Sequence, residues 1–385
     1  MIAVIADDLT GAAEIGGLGL QYDLSVEIVT AIDLHSKADL LIVATDTRSM
    51  PLEQALKEME DVTQKIKQIN PAIIFKKVDS VLRGHVISEL KVHLQHLGLQ
   101  KALLVPANPE FNRILTGGKY FIDDQPIHLT SFAHDPEFAI TSSQVHHMLR
   151  VDETEVSLLS VEDHLPSTGI SVGECASHND LQAWISKADK TTLLAGGSGF
   201  FIALLESLNL NKFNYIEKKP TTLTYPVLFV CGSTHDKSRQ SIKEIAAQGG
   251  SVSYMPLNII TEANPPETLF GTWADEIVSL LNTNKKAIIA IDADITKNVS
   301  ITAASLRSKK AAVVEQVFKR MVIKELLIEG GSTAAAIINR LNFNRFSPVE
   351  KLGPGVIKMK VDNTDDLFLT LKPGSYDWPN YIWNS

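Results

Sequence analysis

The chain has 385 residues, 44% of them hydrophobic and 21% charged, and a formal net charge of -9 at pH 7. This length exceeds what one hydrophobic core usually covers, so we expect two domains of ordinary size. The acidic balance argues against a nucleic-acid-binding protein, because duplex binding needs a basic face, and no stretch approaches the ~20 consecutive apolar residues that a membrane span requires.

The chain opens on a short apolar run, residues 2–6, which predicts a buried strand. The run stops at Asp7 and Asp8, and Thr10, Gly11 and a predicted helix follow. Ligands of parallel α/β sheets bind outside the carboxyl ends of the strands, so these aspartates fall where chemistry is usually done. Side chains of adjacent residues diverge, so we expect at most one of them to face a substrate while the other caps the helix. The alternative is that both only cap the helix.

Strands and helices alternate through the next hundred residues. Strands are predicted at residues 25–30, 39–47, 72–78 and 102–105, and helices at 52–69 and 86–97. This alternation predicts a mostly parallel sheet with right-handed crossovers. Four of the strands, counting the first, end in polar groups at one rim: Asp7 and Asp8, Asp46 to Arg48, Asp79 to His85, and Pro106 to Pro109.

The pattern changes between residues 110 and 143. Alternating residues at 119–122, a turn at 123–126 and residues 127–130 predict a hairpin. The loop 131–141 that follows carries His134, Asp135 and Pro136, and its length favours a lid or binding loop. The strand–helix rhythm then resumes, with strands at 156–161, 169–172 and 191–194 and helices at 181–188 and from Ser198 to Leu208.

A polar, proline-bracketed segment at residues 217–226 predicts a linker, which makes 1–216 the first domain and 227–385 the second. Beyond it we expect strands at 227–230, 286–291 and 325–328 and helices at 238–248, 311–323 and 334–341. The expected architecture is two α/β domains with mostly parallel sheets that face each other across a cleft.

Several glycine-containing turns of the second half follow predicted strands. Gly232-Ser233-Thr234 and Gly330-Gly331-Ser332-Thr333 both lie between a strand and a helix. Glycine lets backbone N–H groups approach an anion, and a helix N-terminus adds about half a positive charge. One such turn is a weak signal, but several in one domain favour phosphate binding. The sequence has no G-x-x-x-x-G-K-[ST] motif and no strand-linked G-x-G-x-x-G in the first domain, so a P-loop protein and a nicotinamide enzyme are not indicated.

The first half carries cations at or near strand ends, namely Arg48, Lys76, Lys77 and Arg83. They suit an anionic substrate held by a bidentate arginine, although each could also be a solvated surface charge. Lys76 and Lys77 alternate across a strand, so we expect only one of them to face the cleft. Asp79 and Ser80 could bond substrate hydroxyls or cap the next helix.

A domain that binds a hydroxylated acid and a domain that binds phosphates together predict a small-molecule kinase. Phosphoryl transfer needs in-line placement and charge neutralisation more than covalent help. An aspartate that accepts the hydroxyl proton would add roughly 10²–10⁴ in rate. Mg²⁺ would bridge phosphate oxygens with few protein ligands and several waters.

Five segments together resemble one known family, the four-carbon acid sugar kinases, which include D-threonate, D-erythronate and 3-oxo-tetronate kinases. The resemblance covers nearly the whole chain, and its most specific pieces are Ala6 to Ala12, Lys77 to Gly84, Pro106 to Pro109 with Arg113, Gly330 to Ala334, and Lys372 to Ser375. It implies an N-terminal acid-sugar domain and a C-terminal nucleotide domain, with ATP phosphorylating a hydroxyl of a four-carbon sugar acid.

Carried over by position, the resemblance implies a set of site residues. Asp8 would be the general base, and the substrate contacts would be Asp7, Asp8, Arg48, Lys77, Asp79, Ser80, Val81, Leu82 and Arg83. The ATP contacts would be Ser233, Gly330, Gly331, Ser332, Thr333, Gly355 and Gly374. Two positions depart from the family pattern: Val81 replaces a threonine and Ser332 replaces an aspartate. The Mg²⁺ ligands, the acid used, the hydroxyl phosphorylated and the oligomeric state stay open, a homo-oligomer being compatible with the sequence.

Two other classes of function are alternatives to a kinase. One is a regulatory protein that binds a sugar acid and a nucleotide without catalysis. The other is a haloacid-dehalogenase-type phosphatase, but its chemistry wants two aspartates two residues apart, whereas Asp7 and Asp8 are adjacent. Cys175 and Cys231 lie far apart and outside any C-x-x-C pair, which predicts core thiols in a reduced, cytoplasmic setting. The histidines show no metal-ligand spacing.

Overall fold

The structure is a computed structural model. It describes residues 1–135, 137–210, 212, 223–232, 236–292, 301–374 and 376–383. The chain divides into two compact units, unit 1 at Met1–Asn214 and unit 2 at Tyr215–Ser385. Most of the predicted linker, residues 217–222, lies outside the described residues.

Unit 1 is built on a parallel sheet with helices between its strands. In chain order its elements are β1 (Ile2–Ala6), α1 (Leu9–Gln21), β2 (Val26–Val29), β3 (Leu40–Ala44), α2 (Leu52–Ile69), β4 (Ile73–Lys77), α3 (Val86–Leu97), β5 (Lys101–Val105), β6 (Arg113–Thr116), β7 (Lys119–Ile122), β8 (Gln125–Pro126), α4 (Val145–Leu149), β9 (Val156–Leu159), β10 (Gly169–Gly173), α5 (His178–Lys187), β11 (Thr192–Gly196) and α6 (Ser198–Ser207). The main sheet runs β2-β3-β1-β4-β11-β5-β10-β9, and its neighbouring strands pair in parallel.

Strand β1 lies at the centre of this sheet, and all five of its residues are buried. A strand covered on both faces has to be apolar throughout, which is why an unbroken apolar run was a good signal. Its last residue, Ala6, pairs with Ala44 of β3 and Lys77 of β4. The carboxyl ends of the central strands therefore lie side by side, and the polar residues that follow them share one edge of unit 1.

The hairpin predicted between residues 110 and 143 is only partly correct. Strand β7 pairs with β6 across Gly117-Gly118 and with the two-residue strand β8 on its other side. The predicted second arm at 127–130 is not a strand: Ile127–Leu129 and Ser131–His134 form two 3₁₀ turns. Proline at 126 lacks the N–H that would continue the ladder, which explains why the strand stops there.

Unit 2 combines parallel and antiparallel strands. Its elements are β12 (Val227–Cys231), α7 (Asp236–Ala247), β13 (Val252–Tyr254), α8 (Leu257–Thr261), α9 (Glu267–Asn284), β14 (Lys286–Ala290), α10 (Ala303–Phe318), β15 (Glu325–Glu329), α11 (Gly331–Arg340), β16 (Arg345–Gly353), β17 (Val356–Val361), β18 (Phe368–Lys372) and α12 (Asn380–Trp383). The strand order is β13-β14-β12-β15-β18-β17-β16, parallel from β13 to β18 and antiparallel beyond it.

The prediction of a mostly parallel α/β architecture is confirmed, with two corrections in unit 2. Helix α10 begins at Ala303 and not at Ala311. Thr302 is its N-cap and accepts a hydrogen bond from the N–H of Ser305. The antiparallel strands β16 to β18 were not predicted. Among the described residues, no helix is long and apolar enough to cross a membrane.

Candidate active site

The two aspartates that follow β1 are buried and share one arginine. Arg48 donates from Nε and Nη2 to the two carboxylate oxygens of Asp7, at 2.9 and 2.8 Å, and from Nη2 to Oδ1 of Asp8 at 2.9 Å. Asp8 is also the N-cap of α1, since it accepts the N–H of Gly11 at 2.9 Å and the hydroxyl of Thr10. Helix capping and the pairing with Arg48 therefore use the same carboxylate, and the sequence could anticipate only the first of these.

Burial and charge act differently on the two carboxyl groups. Burial raises the pKa of Asp7 above its usual value, and Arg48 offsets this effect only in part. Burial also works to raise the pKa of Asp8, but Arg48, the Thr10 hydroxyl, Lys77 and the Gly11 N–H together hold it below the usual value. Asp8 is therefore the more strongly ionised member of the pair at neutral pH.

The turn after β4 brings Asp79 and Arg83 into the same group. Arg83 donates to both oxygens of Asp79, from Nε at 2.7 Å and Nη2 at 2.9 Å, and Nη1 of Arg48 lies 3.6 Å from Asp79. Despite its burial, the two guanidinium groups hold the pKa of Asp79 far below its usual value. Leu82 in this turn has φ +63°, a strained conformation for a residue with a Cβ.

Further contacts to Arg83 come from the loop that was predicted to be a lid or binding loop. Asp135 accepts a hydrogen bond from Nη1 of Arg83 at 2.8 Å. The ring of Phe132 lies under the guanidinium groups of Arg83 and Arg113, with its centroid 5.5 and 5.8 Å from their Cζ atoms. Arg113 donates to Oγ of Ser80 at 2.5 Å. Sequence reasoning missed Phe132, because nothing in its local pattern distinguishes it from a core aromatic residue.

The two lysines at the end of β4 lie on opposite faces of the strand. Lys77 is buried, donates to the carbonyl of Val78 at 2.9 Å and lies 3.7 Å from Glu14, on the side of α1. Lys76 points to the opposite face, where it pairs with Glu89 at 2.5 Å. The expectation that only one of them lies on the Asp8 side agrees with this arrangement. The side chains of Val81 and Leu82 are buried, at 1% and 2% exposure.

In unit 2, three neighbouring parallel strands end at the same level. Cys231 of β12 pairs with Glu329 of β15, and Glu329 pairs with Lys372 of β18. The turn after β15 begins with Gly330 at φ +95°, and Gly331 starts α11. Gly232 lets the chain after β12 pass close to the end of β15 and the start of α11. A Cβ at this position would lie 2.3 Å from Thr333 Oγ1 and 2.4 Å from the carbonyl of Glu329.

The remaining predicted nucleotide contacts are spread along unit 2. Ser332 and Thr333 are in the first turn of α11, Gly374 follows β18, and Gly355 is in the turn between β16 and β17. Ser233 lies outside the described residues. The first N–H groups of a helix have no carbonyl partner within the helix, and a helix that begins directly after a strand is an arrangement that binds phosphate.

No group of three metal-ligating side chains occurs among the described residues. The carboxylates at the edge of unit 1 are already paired: Asp7 and Asp8 with Arg48, and Asp79 with Arg83. These residues therefore do not fit a resident Mg²⁺ ion, and we assign none of them as a metal ligand.

Comparison with known proteins identifies both halves of the chain. A family model described as a sugar-binding N-terminal domain matches residues 2–204, and one described as a nucleotide-binding C-terminal domain matches residues 228–376. A D-threonate kinase of Salmonella typhimurium is 23% identical, with 97% of this chain and 94% of that protein aligned. A 3-oxo-tetronate kinase of Actinobacillus succinogenes is 20% identical, with 98% and 96% aligned.

Solved structures show the same fold. A crystal structure from Salmonella typhimurium superimposes with a TM-score of 0.79 at 16% identity, covering 100% of this chain and 98% of that one. A Haemophilus influenzae protein gives a TM-score of 0.70 at 18% identity, covering 98% of each chain. At such identities the likeness concerns the fold alone.

Proposed function

The chain belongs to the family that joins a sugar-binding N-terminal domain to a nucleotide-binding C-terminal domain, the four-carbon acid sugar kinases, and from this premise we propose its reaction. The reaction is transfer of the γ-phosphoryl group of ATP to a hydroxyl of a four-carbon sugar acid, such as D-threonate, D-erythronate or 3-oxo-tetronate. The observation that carries the proposal is the network of Asp7, Asp8, Arg48 and Asp79 at the strand ends of unit 1.

The acid would bind at this edge of unit 1. Arg48, Lys77 and Arg83 would attract the substrate carboxylate, and Asp79 and Ser80 would accept or donate hydrogen bonds at its hydroxyl groups. Val81 and Leu82 would contribute backbone groups, because their side chains are buried. Nη1 of Arg48 lies 3.6 Å from Asp79, too far for a hydrogen bond to that carboxylate. It is therefore the guanidinium nitrogen best placed to donate to a substrate oxygen.

Asp8 would act as the general base. It follows β1 directly, and its depressed pKa keeps it ionised across the neutral range, so it is ready to accept a hydroxyl proton. Asp7 is the second candidate for this role, because burial raises its pKa and a more basic carboxylate is the stronger proton acceptor. The two assignments predict different pH profiles, which are developed in the Discussion.

ATP would bind at the strand ends of unit 2. Gly330, Gly331, Ser332 and Thr333 would surround its phosphates, with Ser233, Gly355 and Gly374 completing the contacts. Mg²⁺ would arrive bound to the phosphate oxygens, keeping most of its water ligands. Residues 1–216 would thus form the acid-sugar domain and 227–385 the nucleotide domain. The buried, unpaired thiols of Cys175 and Cys231 support the proposal of a reduced, cytoplasmic setting.

Release of ADP tests the proposal. The full chain is incubated with ATP, Mg²⁺ and each of the three acids, and ADP is followed with a coupled assay. The matched neutral tetritols, which lack the carboxylate, serve as controls. We expect ADP release that depends on the acid and is absent with the tetritols. Thermal stabilisation by the acid and by ATP without turnover would instead support a non-catalytic binding protein.

A further inference from the structure

A buried glutamate lies directly beneath the predicted phosphate-binding turns of unit 2. Glu329 is the last residue of β15, and its side chain is only 1% exposed. Its Oε1 atom accepts the hydroxyl of Ser238 at 2.5 Å and lies 3.4 Å from Nζ of Lys372. Its Oε2 atom has no hydrogen-bond partner in the described part of the chain. A buried carboxylate satisfied on one oxygen alone is costly, so its position calls for an explanation.

The two partners of Glu329 belong to two different segments of unit 2. Ser238 lies in the first helical turn of α7, the helix that follows β12 and Gly232. Lys372 ends β18, and its Nζ donates to the carbonyls of Pro373 at 3.0 Å and Tyr376 at 2.5 Å in the turn after that strand. Through these contacts one carboxylate is linked to the start of α7 and to the end of β18, while its own backbone leads into the turn after β15.

Lys310 adds a second buried ammonium group to this region. It extends from α10, is 2% exposed, and donates to the carbonyl of Cys231 at 3.2 Å, at the end of β12. Burial lowers the pKa of Lys310 to about 8, which leaves the group mostly charged at neutral pH. Lys310 and Lys372 thus place two ammonium groups, and Glu329 one carboxylate, beneath turns assigned to a polyphosphate, and an excess of cationic groups favours an anion.

We propose that Glu329 is a positioning residue for ATP: through Ser238 and Lys372 it holds the start of α7 and the end of β18 at the spacing that the triphosphate needs. The inference rests on the proposed function, in which unit 2 binds ATP. A buried ion pair seldom adds net stability over an apolar pair, because both ions lose their hydration. What distinguishes Glu329 is therefore its place at the strand end beneath the turns, and not the ion pair itself.

The same strand supplies a matched control. Glu325 begins β15, is fully buried, and pairs with Lys358 at 2.5 Å and with the N–H of Thr224 at 2.7 Å. It resembles Glu329 in residue type, burial and lysine partner, but it lies at the opposite end of the strand from the glycine turns. Glu329→Gln and Glu325→Gln should therefore lose comparable stability, and only the first should affect ATP.

The experiment measures three quantities for the full chain: the Kd for ATP, the Kd for D-threonate, and the melting temperature. We expect Glu329→Gln to weaken ATP binding about tenfold, the effect of replacing the charged contact with Lys372 by a neutral one, with unchanged D-threonate affinity. Glu325→Gln should bind ATP like the wild type even if its melting temperature falls equally. The milder variant Ser238→Ala, which cuts only the link to α7, should weaken ATP binding about threefold.

Two results would overturn the inference and leave the proposed function standing. The first is that Glu329→Gln, or Ser238→Ala if Glu329→Gln does not fold, binds ATP as tightly as the wild type. The second is that Glu325→Gln weakens ATP binding as much as Glu329→Gln does. A wild-type chain that binds no ATP would contradict the proposed function itself, and the inference would fall with it.

Discussion

Replacement of Asp8 by asparagine tests the proposed chemistry while keeping the cap of helix α1. Asparagine is as good an N-cap as aspartate, so its amide oxygen can still accept the N–H of Gly11, now 2.9 Å away. The change removes the charged contact with Arg48, which keeps its two hydrogen bonds to Asp7 at 2.9 and 2.8 Å. We expect a loss of about 1.5–3 kcal/mol of stability, the value of one hydrogen bond to a charged group.

The kinetic effect should be far larger than the effect on binding. Loss of a general base lowers turnover by roughly 10²–10⁴, or about 3–5 kcal/mol in activation free energy. The KM for ATP should change little, because Asp8 lies in the sugar-binding domain. A coupled assay for ADP at saturating and limiting ATP separates the two parameters, and a melting curve shows that the variant is folded. Near-normal turnover would remove Asp8 from the base role.

The pH profile distinguishes Asp8 from Asp7. The base must be deprotonated, so activity is retained above its pKa and lost as the pH falls through it. Because the pKa of Asp8 is held below its usual value, kcat should stay flat on the acid side down to the pH at which the fold fails. Burial raises the pKa of Asp7. An acid limb above the usual aspartate range, together with a larger turnover loss in Asp7→Asn than in Asp8→Asn, would move the role to Asp7.

Three further predictions concern other parts of the chain. Arg83→Ala should weaken acid binding, measured by calorimetry, by about 1.5–3 kcal/mol. Asp135→Asn should instead tighten acid binding, because it removes the carboxylate that lies 2.8 Å from Nη1 of Arg83. Unchanged affinity in Arg83→Ala, or weaker binding in Asp135→Asn, would contradict these roles. Gly232→Ala should lower both ATP affinity and melting temperature, because its Cβ would lie 2.4 Å from the Glu329 carbonyl, while the helical control Gly271→Ala should leave ATP binding intact. Burial, and to a lesser extent the positive charge of Lys76, holds the pKa of His93 well below its usual value. The folded state therefore keeps His93 neutral while the unfolded state takes up a proton below pH ~6.5. The free energy of unfolding should fall below that pH by up to ~1.4 kcal/mol per pH unit. Urea titrations of His93→Gln should show a flatter pH dependence than the wild type, and parallel curves would refute this.

The parts of the fold that depend on local pattern could be predicted from the sequence. The apolar run of β1, and the helix α2 with Pro51 at its start and Asn70 at its end, follow from periodicity and capping alone. The pairing of Arg48 with Asp7, 41 residues away, does not, because it depends on β1 and β3 being neighbours in the sheet. The sequence therefore predicts that these residues lie at one edge of the sheet of unit 1, but it does not predict the hydrogen bonds between them.

The antiparallel strands of unit 2 were missed for a related reason. Lys358 in the middle of β17 and Lys372 at the end of β18 are buried, at 4% and 0% exposure, so the apolar pattern that marks a buried strand is broken within β17. Their burial is possible because Glu325 and Glu329 of β15 supply opposite charges. A pattern that depends on partners from another strand cannot be recognised within one segment of the chain.

Detection of the phosphorylated acid tests the central claim most directly. The full chain is incubated with ATP, Mg²⁺ and D-threonate, D-erythronate or 3-oxo-tetronate, and the products are analysed by phosphorus NMR and mass spectrometry. We predict a new phosphate monoester of one of the acids, formed in equal amount to ADP. ADP formed with inorganic phosphate alone, or no reaction despite binding of both ligands, would contradict the assignment of the chain as a sugar-acid kinase.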